Sequence, residues 1–240
     1  QHFRLEREIG SIAPGRLADF LIVSDLAEMT VDAVYARGVL LASKGKLAID
    51  LPAYDYPATA KNTVRLGKKL AASDFDIAAP TGANKARERV IGVIENQAPT
   101  RALETDLAVE NGLVAMDRAG DICQIGLVER HRGTGGVTNA FVSGFGYRED
   151  CAIASTVAHD SHHIIVVGTN KADMALAANR LAEVGGGVVL YSKGRELALV
   201  EMPIAGLMSD ERAEIVAAKA HRLVEAMRSV GCTLNNAYMQ

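Results

Sequence analysis

Three histidines stand within five residues at His159-Asp160-Ser161-His162-His163. They lie between two apolar stretches, residues 152–158 and 164–167, whose composition suits strands. If those strands form a hairpin with Asp160-Ser161 as a two-residue turn, His159 and His162 face each other. Directly opposed residues have Cβ atoms about 5 Å apart, close enough for two imidazoles to share a metal ion. Neutral imidazole nitrogens bind zinc, manganese or iron, and a carboxylate adds charge compensation. His159, Asp160 and His162 are therefore candidate metal ligands, with Ser161 and Glu129 as candidates for supporting them. Two features pull the other way. Asp-Ser is not the Asn-Gly type that such turns prefer, and His162 and His163 must point to opposite sides of any strand. The plainer reading is a polar strand junction with exposed imidazoles.

A second candidate is Gly133-Thr134-Gly135-Gly136-Val137-Thr138-Asn139, which follows a strand-like run and could open a helix. That polarity suits anion binding on backbone N–H groups. The loop fails the dinucleotide fingerprint, because Thr138 stands where the third glycine belongs, and it fails the P-loop pattern, because no lysine follows. For so loose a match a flexible connector is the plainer reading. Just before it, Glu129 and His131 share one strand face with Arg130 on the other, either a catalytic pair or a solvated strand end. Gly185-Gly186-Gly187 runs from helix into strand and reads as a cap and tight turn. His221 reads as a helix-surface histidine. Cys123, Cys151 and Cys232 are far apart and form no CxxC pattern, so they suggest neither a disulfide scaffold nor a zinc ribbon. A reducing, cytoplasmic setting follows as the expectation.

The elements that must position these residues fall into three stretches. Residues 18–23, 31–35 and 39–42 are short strand candidates separated by Gly-containing turns. Three short strands cannot form a core alone and look like a piece of a sheet completed by something else. Residues 51–84 read as a connector broken by Pro52, Pro57 and Pro80, with a boundary near residues 75–85. Residues 85–240 alternate strands (89–95, 122–129, 152–158, 164–167, 188–191, 197–201) with helices at 170–184 and 209–230 and a weaker helix at 139–145. Thr169 or Asn170 caps the first helix and Gly185 stops it. Ser209 opens the second, whose stripe is Val216, Ala220, Leu223, Met227 and Val230. Several strands are joined too closely for a helical crossover, so they are antiparallel. The expected class is α+β, mostly antiparallel sheets with packed helices.

Composition sets the outer limits. The chain has 240 residues, 26 basic and 29 acidic, with a formal net charge of −3. No basic block and few aromatics argue against a nucleic-acid partner. No apolar run approaches the roughly 20 residues that span a bilayer, and the charged N-terminus shows no signal peptide. There is no Gly-x-Ser-x-Gly, His-Glu-x-x-His, His-x-His or zinc-deaminase signature. A (β/α)₈ barrel typically needs about 250 residues and eight strand–helix repeats, which this pattern lacks.

The segment Gly10-Ser-Ile-Ala-Pro-Gly-Arg-Leu-Ala-Asp19-Phe-Leu-Ile-Val23 resembles the signature found just after the catalytic barrel in the amidohydrolase superfamily, where the chain re-enters a small β-sandwich. His159-Asp-Ser-His162 with the following Ile-Ile-Val-Val-Gly, and Pro203-Ile-Ala-Gly-Leu-Met-Ser209, resemble the C-terminal domain of bacterial adenine deaminases. Where that family usually has Asn after His-Asp-Ser-His, this sequence has His163. The resemblance implies residues 1–50 as a sandwich fragment and 85–240 as the appended domain, with a (β/α)₈ barrel upstream. It implies hydrolysis of adenine to hypoxanthine and ammonia in purine catabolism or salvage, by a metal-activated water attacking C6. The divalent ion would be manganese or iron, with zinc as a further option. Its ligands and the proton-shuttling carboxylate would precede Gln1, so the chain alone is expected to be inactive. The expected partner is a purine base within a homo-oligomer, with no nucleic acid and no membrane. The alternatives are a non-catalytic ligand-sensing or oligomerisation module, and a small complete metalloenzyme.

Overall fold

The structure is a computed structural model and describes residues 2–239. The chain divides after Asp55 into two compact units. The first carries β1 (Phe20–Asp25), β2 (Thr30–Ala36), β3 (Val39–Ser43) and β4 (Lys46–Leu47), an antiparallel sheet in sequence order. Local chemistry fixes its turns. Asp25 accepts the N–H groups of Ala27 and Glu28 at 2.8 and 3.0 Å. Phe20 stacks on Tyr35, its cross-strand neighbour, with ring centroids 4.7 Å apart. None of residues 2–55 is buried.

The second unit is built on nine strands: β5 (Lys85–Gly92), β6 (Arg101–Glu110), β7 (Leu113–Val114), β8 (Ile122–Val128), β9 (Val137–Ser143), β10 (Cys151–Ser155), β11 (Ile164–Gly168), β12 (Gly187–Ser192) and β13 (Arg195–Glu201). Their order is β13-β12-β10-β11-β8-β9-β5-β6-β7, and only β5 and β9 pair in parallel. The expected class holds: the domain is α+β with a predominantly antiparallel sheet. Helix α1 (Lys171–Val184) covers one face, packing Met174, Ala178 and Leu181 against Ala152, Ala154, Ile164 and Val166. Asn170 caps it by accepting the Asp173 N–H at 3.1 Å, and Gly185 ends it in the left-handed region. Helix α2 (Ala213–Ser229) lays Leu223 and Met227, followed by Val230, on the other face over Ile153, Val188, Leu190 and Val200.

Several elements differ from the sequence reading. The weak helix at 139–145 is instead β9, because Phe141 and Val142 are both buried and must enter opposite faces. The ten-residue β6 went unread, since Ala, Glu and Asp are poor strand formers held here by pairing with β5. Helix α2 begins at Ala213 rather than Ser209, whose hydroxyl instead accepts the Glu211 N–H at 3.2 Å. Residues 56–75, read as part of a connector, belong to the second unit. Val64, Leu66, Leu70 and Phe75 are buried against α1 and β8. Their irregular spacing among polar residues hides this in the sequence. The Phe75 ring lies on Gly126, where any Cβ would stand 2.8 Å from it.

Candidate functional site

Four loops meet at one end of the larger sheet. They follow β8 (residues 129–136), link β10 to β11 (156–163), enter β12 (185–187) and leave β13 (202–208). The register places them together, since Val128 lies opposite Ile164 and Ser155 opposite Val188. The strap 60–68 crosses the same end, through Arg65 N–H to the Arg130 carbonyl at 2.9 Å and Ala205 N–H to the Ala60 carbonyl at 2.6 Å.

The histidine loop is not a two-residue hairpin turn. β10 stops at Ser155 and β11 begins at Ile164, so eight residues form the connection. Thr156 draws the chain aside. Its hydroxyl accepts the Gly187 N–H at 2.7 Å and donates to the Gly206 carbonyl at 2.5 Å. Asp160 and His162 then take positive φ values of 73° and 49°. His159 and His162 therefore do not oppose each other across a ladder. Their ring centroids are 6.3 Å apart. His159 Nδ1 lies 3.0 Å from Asp160 Oδ1, and both side chains are about 94% exposed. Nδ1 of His162 and Nδ1 of His163 are buried without a hydrogen-bond partner. Among the described residues, no group of three or more His, Cys, Asp or Glu is placed to hold a metal ion. His159, Asp160 and His162 thus share a loop without forming a three-ligand set.

Glu129 and Ser161 are brought into one network through His131. Glu129 accepts the N–H groups of His131, Arg132 and Thr134 at 2.5, 2.8 and 3.0 Å, and the Thr134 hydroxyl at 3.0 Å. These bonds, led by Thr134 N–H, lower its carboxyl to about 2. His131 Nε2 bonds the Ser161 carbonyl at 2.9 Å, and its ring lies 4.8 Å from that of His163. The glycine loop is therefore not an open anion site. It leads into a strand, Glu129 already takes the Thr134 N–H, and the Thr134 hydroxyl takes the Gly136 N–H at 3.2 Å.

Arg130 is the residue that sequence reasoning passed over. It is 1% exposed, buried between the loops. Its Nε donates to the His162 carbonyl, Nη1 and Nη2 reach the Ala205 carbonyl at 3.2 Å, and Nη1 reaches Thr63 Oγ1 at 3.4 Å. No carboxylate pairs with it among the described residues, and burial lowers its pKa. The available signal was parity: Gln124, Gly126, Val128 and Arg130 alternate onto the face that 56–75 covers.

Away from this end, Ile91, Ile125, Val142, Phe145, Ile165 and Tyr238 line a half-open apolar cavity of about 220 Å³. The three cysteines are free and buried, and desolvation pushes the Cys151 thiol up to about 12. No helix among the described residues is long and apolar enough to cross a membrane.

Fold and site together define an α+β domain, with a histidine-bearing loop cluster at one end of a predominantly antiparallel sheet and no group of three metal-ligating side chains among the described residues. The chain belongs to the adenine deaminase C-terminal domain family, which residues 97–240 match. Over all 240 residues it is 82% identical to an adenine deaminase of Mesorhizobium japonicum and 71% identical to adenine deaminase 3 of Rhizobium meliloti. An adenine deaminase of Rubrobacter xylanophilus is 42% identical over the same length. The chain spans about 40% of the length of these curated relatives.

Proposed function

We propose that this chain is part of a metal-dependent adenine aminohydrolase, which converts adenine and water to hypoxanthine and ammonia. The observation that carries the reading is the 82% identity, along the entire chain, to a protein named adenine deaminase. The donor groups described here do not fit a catalytic metal centre, so the reading assigns the divalent ion to a barrel in the parent enzyme. That ion, manganese or iron with zinc as the alternative, would activate the attacking water when bound. The chain's own contribution is the loop end. His131 bonds the Ser161 carbonyl while Glu129 accepts the His131 main-chain N–H, and the loop presents His159, Asp160 and His162 toward the barrel mouth or to an accessory ion. The ligand is a purine base, the assembly a homo-oligomer, and no nucleic acid or membrane takes part.

Two measurements test this. His159→Ala and His162→Ala in the full-length enzyme should lower adenine turnover or metal content; unchanged values in both would remove the loop from the reaction. The 240-residue chain alone should not release ammonia from adenine, and measurable release would refute the assignment of catalysis to a barrel.

The apolar cavity favours a second reading, an oligomerisation or ligand-sensing module. Light scattering of the chain would separate the two, since a strict monomer that binds no apolar ligand would count against the module.

A further inference from the structure

We propose that Arg130 is a positioning residue for the histidine loop, acting through the main chain of His162; this rests on the loop serving the deaminase reaction. An arginine buried to 1% exposure normally faces a carboxylate. Arg130 faces carbonyls and one hydroxyl instead, contributed by His162, Ala205 and Thr63. A planar fork with fixed donor directions fits such a set, whereas a lysine ammonium holds one point. The neighbouring chain is shaped around the fork. Gly206 has φ +71°, and a Cβ there would stand 2.7 Å from Nη1. The loop itself carries two residues in the left-handed region, His162 among them, so its conformation depends on an outside anchor. The Arg130 bond to the His162 carbonyl is the anchor at the left-handed residue itself, beside the His131 bond to the Ser161 carbonyl, and it sets where the His159 and His162 rings project.

The test uses the full-length enzyme with Arg130→Lys, and Gly206→Ala as the variant that displaces the fork without changing its charge. Each should remain folded with a lowered thermal midpoint, from the φ of +71° at Gly206 and from the lost fork at Arg130, keep the KM for adenine, and lose kcat by about 10–100-fold, the loss expected from misplacement of about 1 Å. Imidazole nitrogen spectra should show shifted His159 and His162 signals and an unmoved His221. Wild-type kcat in either folded variant would overturn the proposal. So would loss of folding in both, which would make Arg130 a scaffold residue. Failure of the underlying reading is distinguishable, because His159→Ala and His162→Ala would then be as active as the parent.

Discussion

The two units use the same local grammar and reach opposite ends. Residues 2–55 form a paired antiparallel sheet in which no residue is buried; Leu21 and Ile22 remain about half exposed. Residues 56–239 place an antiparallel sheet between helices and bury three clusters of apolar side chains. Backbone pairing and cross-strand contacts such as Phe20 on Tyr35 suffice to define a sheet. They do not supply the apolar burial that stabilises one, roughly 25 cal/mol for each Å² removed from water. The difference shows that a strand pattern and a core are separate properties of a sequence.

The contrast can be broken first at Phe75, in the stretch that looks like a connector. Phe75→Ala should destabilise the chain by about 3–5 kcal/mol, as for deleting a fully buried aromatic ring. A urea titration followed by far-UV circular dichroism reads this, and a midpoint equal to the parent would return residues 56–75 to linker status. Gly67→Ala comes next. Its φ of +76° and a Cβ only 2.0 Å from the Gly133 carbonyl oxygen force the strap off the glycine loop. The expected loss is about 1–3 kcal/mol, read in the same titration.

A smaller effect sharpens the picture of the loop end. The Glu129 carboxyl falls from 4.5 in the unfolded chain to about 2 in the fold, so its bonds stabilise the folded state fully above pH 4.5. That contribution shrinks as pH falls through about 2. Glu129→Gln should therefore lower the thermal midpoint at pH 6 and approach the parent's near pH 2; a pH-independent gap would contradict the carboxylate's role. The smallest change belongs to the first unit. Leu21→Ala in this chain should alter stability by less than about 0.5 kcal/mol, because Leu21 lies on a half-exposed surface outside any buried cluster. Hydrogen exchange should show β1–β3 amides opening well before those of β10–β12.

Periodicity made much of this molecule legible. Helix α1 follows from its cap, its stripe and Gly185, and β10 to β13 follow from short apolar runs. What escaped depends on distant chain. Strand β6 is ordered by β5, Phe75 by a glycine in β8, and the histidine loop by Thr156 and Arg130, which bond residues 31 to 75 positions away. At the candidate site, the residue types of the histidine motif were readable, but their separation was not. The hairpin geometry that would have brought His159 and His162 together assumes a ladder continuing past Ser155, and the Thr156 side chain ends it.

The reach of Arg130 also constrains how the protein is made. Its guanidinium joins Thr63, already long synthesised, to the Ala205 carbonyl, which lies 75 residues beyond Arg130 itself. At ribosomal speeds of about 5–20 residues per second, that gap lasts roughly 4–15 s. During this interval the nascent chain carries the cation without the Ala205 carbonyl that takes both of its Nη groups. The strap and the histidine loop reach their native arrangement only after β13 has emerged, so this end of the domain is completed late in translation.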